Sequence, residues 1–368
     1  ITNLSDPSSA SDAATKGYAD EMPRNMAQQA IINGNFDVWQ RGTSFTNPNG
    51  IVYSADRYYS VNGGTYTNPT TVTHSRQSFS PGELPGSYYY YRVTTNGAGS
   101  GLGADGHYSI RQGIEYGTRY LAGSGKKITI SFWARSSIAG KKLAVNVKQS
   151  YGTGGSPSAT EELTGNVFSL TSTWTKYSVT IATNTLNGKV FGSNNDDQLI
   201  LLFWFVWGTD YLSRFNGTAS ETFVGAGTID IAQVQLNAGE SALPFQPRSF
   251  AEELALCQRY YEKSYVYGDS PGTVVNNGAF FGSTYDGTNT GAHKATVPFT
   301  TRKRIIPTVS IYGVGGTPSQ VYDGNADRSI DSGSVVSFVS EANFRSDYTL
   351  SGATTPNRAF HWTADAEL

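Results

Sequence analysis

One cysteine, Cys257, in 368 residues leaves no intrachain disulfide to form, so packing or assembly must supply stability. Charge is sparse too. Asp, Glu, Lys and Arg make up 15% of the chain, against about 25% in ordinary soluble domains. With 27 basic and 29 acidic residues the net charge is −2, which gives a nucleic-acid partner no electrostatic support. Long apolar runs are missing. The longest, LILLFWFVW at 199–207, has nine residues, and a helical bilayer span needs ~20. No membrane span is expected, no signal-peptide pattern opens the chain, and a soluble protein follows. Position 1 is Ile rather than Met, which suggests a fragment or a processed chain. The four histidines, His74, His107, His293 and His361, stand far apart. None has metal-ligand spacing to Cys or Glu, so they read as lone surface or sheet residues. No G-x-S-x-G elbow appears.

What is abundant is glycine (41) and tyrosine (23), a composition that favours strands and tight turns. Ile128, Ile130 and Phe132 alternate with Thr129, Ser131 and Trp133; Leu143, Val145 and Val147 alternate with Ala144, Asn146 and Lys148. Eight or more such runs between Ala30 and Pro247, separated by turns such as Asn62-Gly63-Gly64, predict a two-sheet sandwich of jelly-roll type. Ser249 and Glu252 form an S-x-x-E capping box. Phe250, Leu254, Cys257 and Tyr261 then fall on one stripe, which predicts a helix of about 13 residues. Upstream, Ser11-Asp12 opens a short helix from Ala13 to about Glu21 that Pro23 stops, too short to be stable alone. The expected fold class is all-β: a neck or trimerisation segment (1–29), a jelly roll (30–247), a linking helix (248–265) and a small C-terminal β-sandwich domain (266–368).

Chemical motifs are weak. Gly101–Gly106 fits G-x-G-x-x-G, but a strand-like run follows it where a dinucleotide site needs a helix, so it reads as a glycine-rich loop. Asp323-Gly324-Asn325-Ala326-Asp327 starts like a calcium loop, yet Arg328 and Ser334 occupy the positions that require Gly and Glu; a solvated acidic turn is expected. The adjacent pairs Glu161-Glu162 and Asp196-Asp197 would point to opposite faces of a strand, which is wrong for paired carboxylate catalysis, and Glu252-Glu253 belongs to the capped helix. No enzymatic site is expected.

Aromatics remain. Sugar rings stack on aromatic side chains, and Tyr89, Tyr91, Trp207, Tyr211 and Trp362 are chosen as glycan-contact candidates. In the apolar run, Leu199, Leu201, Phe203, Phe205 and Trp207 should face one way, and Ile200, Leu202, Trp204 and Val206 the other. Four large apolar side chains left in water would forfeit ~1.5–3 kcal/mol each. A loop of the same domain, a neighbouring subunit or a ligand would have to cover them. A neighbouring subunit is favoured, which makes Ile200, Leu202 and Trp204, with Tyr18, the interface candidates.

Several stretches together carry a resemblance. ITNLSDPSSASDAATKGYAD resembles the neck motif of bacteriophage tail fibre and appendage proteins, in which a short helix gathers three chains. INGNFDVWQRGTSF and YSADRYY, within 32–59, are similar to the opening of the carbohydrate-binding-module-like jelly roll common in such proteins. VQLNAGESALPFQPRSFAEELALCQRYYEKS (234–264) resembles the exit from that domain into a linking helix, and WTADAEL resembles a phage fibre ending. The resemblance implies a non-enzymatic homotrimer in the virion, at the tail fibre or tail tip, assembled in the host cytoplasm. Other tail proteins would hold its N-terminal end. Its partner would be bacterial surface polysaccharide or lipopolysaccharide. The alternatives are a depolymerase tailspike and a structural spacer carrying another tip protein. Related jelly rolls often hold a structural calcium beside an acidic D-D-V. The nearest match here, Ile231-Ala232-Gln233-Val234, lacks the acids and leaves Asp37 and Asp230, so no cofactor is expected.

Overall fold

The alternation in the sequence becomes two facing sheets. Ile128, Ile130, Phe132 and Ala134 are fully buried, as are Leu143, Val145 and Val147. The computed structural model describes residues 29–283, 293–330, 332–350, 355 and 357–368. The neck segment with Tyr18 lies outside the described residues.

Contacts divide the chain into two units. The first holds residues through 36, 46–52 and 59–247; the second holds 37–45, 53–58 and 248–368. One break between them falls after Pro247. The segments DVWQRGTSF and YSADRY, expected in the jelly roll, group with the second unit instead.

One sheet of the first unit runs β1 (Ser44–Thr46), β4 (Val72–Ser78), β5 (Tyr89–Asn96), β12 (Ala226–Ala238), β7 (Lys127–Ser136) and β10 (Thr175–Ala182). The other runs β2 (Val52–Tyr53), β3 (Tyr59–Gly63), β6 (His107–Glu115), β11 (Gln198–Trp207), β8 (Lys142–Ser150) and β9 (Glu161–Ser169). The chain crosses repeatedly between the sheets, as in a jelly roll. Phe132 of one sheet meets Phe203 of the other edge-on, their centroids 5.1 Å apart. His74 spans the sheets between the hydroxyls of Tyr91 and Tyr108, the latter at 2.7 Å. Burial pushes its imidazole pKa down to about 3, so it is a neutral core residue rather than a surface one.

In the second unit, β21 (Asn357–Asp365) pairs with β13 (Tyr261–Lys263), β14 (Phe280–Ser283), β16 (Thr308–Tyr312) and β17 (Val321–Tyr322). A three-stranded sheet joins β15 (His293–Pro298), β20 (Asn343–Thr349) and β19 (Ser332–Ser337). Phe344, Phe360 and Trp362 lie in the shared core. Helix α1 (Phe250–Gln258) begins with the expected capping box but has nine residues rather than about 13. Tyr260 and Tyr261 leave it because their ring faces carry the guanidiniums of Arg57 (3.4 Å) and Arg41 (3.6 Å). Tyr261 then pairs with Asp365 in β13. Tertiary contacts outweigh the helical pattern here.

The upstream segments and the WTADAEL ending meet in a buried polar network within this unit. Gln40 donates to both carboxylate oxygens of Asp56 and to the Tyr261 carbonyl. Arg41 pairs with Asp365 and Glu367, and Arg57 pairs with Glu367. Asp323 is not a solvated turn residue. It is fully buried and accepts from the backbone N–H of Asn325 and Ala326 and from Arg328.

Candidate functional site

The apolar run is β11, a central strand, so both of its faces need cover. Leu199, Leu201 and Phe203 face the sandwich core opposite Ile114, Gln112 and Ile110 of β6. Ile200, Leu202 and Trp204 face outward. A register shift between Trp204 and Val206 adds one residue, which re-phases the strand. Trp207 therefore joins the outward set, where Val206 had been expected.

The cover over this outward set comes from the same chain. After Gly208 the 3₁₀ helix η1 (Thr209–Arg214) folds back, and Tyr211, Leu212 and Phe215 pack on Leu202, Trp204 and Trp207. The G-x-G-x-x-G loop holds this cap down: Gly208 donates to the Gly106 carbonyl and Asp210 to the Ala104 carbonyl. A Cβ on Gly208 would lie 2.2 Å from the carbonyl oxygens of Gly103 and Ala104, so the close approach requires glycine. Farther along, Trp207 and Glu221 exchange backbone hydrogen bonds. Buried Lys141 donates to Glu221 Oε1 and to the Phe205 and Thr222 carbonyls.

The interface candidates are corrected accordingly. Leu202 and Trp204 are fully buried within one chain, and Ile200 is half-buried. Leu202 and Trp204 are covered by their own chain, with no neighbouring subunit needed.

The cap leaves the other half of the face open. Across β3, β6, β11, β8 and β9, the strand registers bring Tyr59, Arg111, Ile200, Lys148 and Glu162 onto it. All five are half-buried, as are Tyr211 and Arg214 at the edge of the cap. The Tyr211 ring lies 4.9 Å from Trp204, the Arg214 guanidinium lies 4.6 Å from Tyr211, and the Tyr211 hydroxyl donates to the Asp105 carbonyl at 2.8 Å. Glu162 Oε1 is 3.0 Å from both Lys148 Nζ and Arg214 Nη1. Its Oε2 accepts from Asn146, which also accepts from Trp204 Nε1. Burial lowers the pKa of Lys148, with Arg111 and Arg214 adding to the effect. Burial and the same three cations lower that of His107. The arrangement offers rings, cationic donors and a carboxylate acceptor side by side.

Of the glycan candidates, this face holds Tyr211. Tyr91 is a core residue bonded to His74. Trp207 is 1% exposed beneath the cap and Trp362 is 6% exposed in the second unit's core; rings so enclosed cannot stack on a ligand. Tyr89 is half-buried on the opposite sheet, under Arg76. The sequence reading missed Tyr59, Arg111, Glu162 and Arg214 as site residues. Lys148 had its face assigned by alternation but no role.

The remaining sequence candidates are engaged elsewhere. Asp230 is clamped by Arg92 and Arg135, so it is not open to a calcium ion, and Asp37 belongs to the other unit. Glu161 pairs with Lys189, Asp197 with Arg119 and Glu253 with Arg248. On the outer face of the opposite sheet, Phe79, Tyr90 and Trp174 cluster with centroids about 5 Å apart, beside a balanced set of Arg92, Arg135, Asp230 and Glu83.

Neither a protein-family model nor a curated protein matches the sequence. Among solved structures, the chain is similar to one described as CBM4, at 17% identity and TM-score 0.30, over 57% of this chain and 99% of that one. It is also similar to a putative sugar binding protein from Bacteroides thetaiotaomicron, at 12% identity and TM-score 0.33, over 58% and 100%. A third is TmCBM61 in complex with β-1,4-galactotriose, at 10% identity and TM-score 0.27, over 56% and 97%.

Proposed function

We propose that the first unit binds bacterial surface glycan, a capsular polysaccharide or lipopolysaccharide, on the open half of the β11 face. The chain then serves as a non-enzymatic segment of a homotrimeric bacteriophage tail fibre during adsorption. The observation that carries the binding reading is the grouping of Tyr59 and Tyr211 with Arg111, Lys148, Arg214 and Glu162 on one accessible sheet face. Rings take the C–H faces of sugars, and the ionic groups bond their hydroxyls. The neck-like sequence at 1–24 supports the fibre role and the three-chain assembly. Binding is favoured over hydrolysis because glycoside cleavage uses two carboxylates flanking one bond. This face presents Glu162, and two cations already hold it.

The test is titration of the chain with bacterial surface polysaccharides, comparing Tyr211→Ala with Tyr88→Ala, an exposed residue just before β5 of the opposite sheet. Tyr211→Ala should weaken binding about ten-fold or more, Tyr88→Ala should leave it unchanged, and the polysaccharide should keep its length. Shortened chains would favour the depolymerase. Failure of the bound chain to block phage adsorption would favour the spacer.

A further inference from the structure

The open half of the β11 face holds more positive charge than its own carboxylate neutralises. We propose that it recognises an acidic glycan, a polysaccharide bearing carboxylate or phosphate groups; this rests on the glycan-binding reading and specifies its substrate class. Arg111 carries the inference. It is half-buried, its Nε donates to Ser109 Oγ at 3.0 Å, and its guanidinium lies 5.9 Å from the Trp204 ring. No carboxylate among the described residues pairs with it, and its other two nitrogens make no hydrogen bond there. Burial lowers its pKa and the nearby Arg214 adds to that effect, while Tyr59 and the shared carboxylate of Glu162 offset it only in part. A desolvated cation with no direct ion pair of its own is unfavourable, and a ligand anion in the fork of the guanidinium would relieve the cost.

The neighbours do not supply that anion. Lys148 and Arg214 share the single oxygen Oε1 of Glu162, so three cations face one carboxylate. His107, its pKa lowered, adds no charge at pH 7. Asp105 and Asp210 stand beside Tyr211 at the margin. Both are exposed, and Asp105 already accepts from the Thr65 N–H. By contrast, the aromatic cluster on the opposite sheet balances two arginines with two carboxylates. A neutral sugar would be served by such a balanced set; the excess on the β11 face suits an anion.

An array of bacterial surface polysaccharides, each presented native, carboxyl-reduced and dephosphorylated, tests this with the full chain. The expected ligands are acidic. Removing their acid groups should weaken binding about ten-fold or more, as should Arg111→Gln and Lys148→Gln with thermal midpoints maintained. Added salt should weaken it further. The arm in which affinity falls tells carboxylate from phosphate. Binding of neutral members that is indifferent to salt, to both treatments and to Arg111→Gln would overturn the acidic-glycan inference and leave the glycan reading standing. Binding of no member at all would overturn the glycan reading itself.

Discussion

Protonating His74 would place a cation between two phenols in a dry core. Its folded pKa, about 3, lies below the ordinary 6.5. The unfolded chain therefore binds the proton first, and the stability His74 contributes is complete above about pH 6.5 and lost as pH falls toward 3. The slope is at most about 1.4 kcal/mol per pH unit. Denaturant unfolding of the first unit across that window should be steeper in pH for the native chain than for His74→Gln; parallel profiles would refute the assignment. Glu367 makes a second residue-scale case. It is buried and ion-paired to Arg57 and Arg41. Glu367→Gln should destabilise the second unit by about 3–5 kcal/mol, whereas joint replacement of Glu367 and Arg57 by apolar residues should cost less. Calorimetry resolves the two.

At the scale of elements, the cap formed by η1 decides which part of the β11 face stays open. Gly208→Ala would push a methyl group into two carbonyl oxygens. It should cost about 1–3 kcal/mol and let water reach Trp204, visible as a red shift in tryptophan fluorescence. An unshifted spectrum would mean the cap tolerates displacement. Alternation alone assigns Ile128, Phe132, Leu143 and Val147 to the core, and it sets Lys148 apart from Val147. The outward set is legible up to Trp204. Beyond it the added residue in β11 defeats period-2 counting, because a bulge depends on the partner strand and leaves no composition signal. The open face escapes for a related reason. Tyr59, Arg111, Lys148, Glu162 and Arg214 come from separate stretches, and only strand order makes them neighbours. Likewise the serine and glutamate of the capping box mark where α1 starts, but its early end depends on Arg41 and Arg57, some 200 residues upstream.

For the whole molecule, assembly is separable from covering the greasy strip. Since η1 shelters Leu202 and Trp204 within one chain, the proposed trimer has no need of that strip and is assigned to the neck-like sequence. On this proposal the 368-residue chain should sediment as three copies, and a chain lacking residues 1–28 as one folded copy. A trimer persisting after that truncation would place the interface elsewhere. No helix among the described residues is long and apolar enough to cross a membrane.

The interleaving of 37–45 and 53–58 with 248–368 also bears on how genes for such chains can recombine. Arg57 and Glu367 are 310 positions apart, yet neither is properly housed without the other. A crossover at Pro247 that imported a foreign downstream half would strand two arginines, a glutamine and an aspartate bred for a different mate. Any exchange of the second unit must bring both upstream snippets with it, so the unit travels as three pieces of DNA rather than as a cassette.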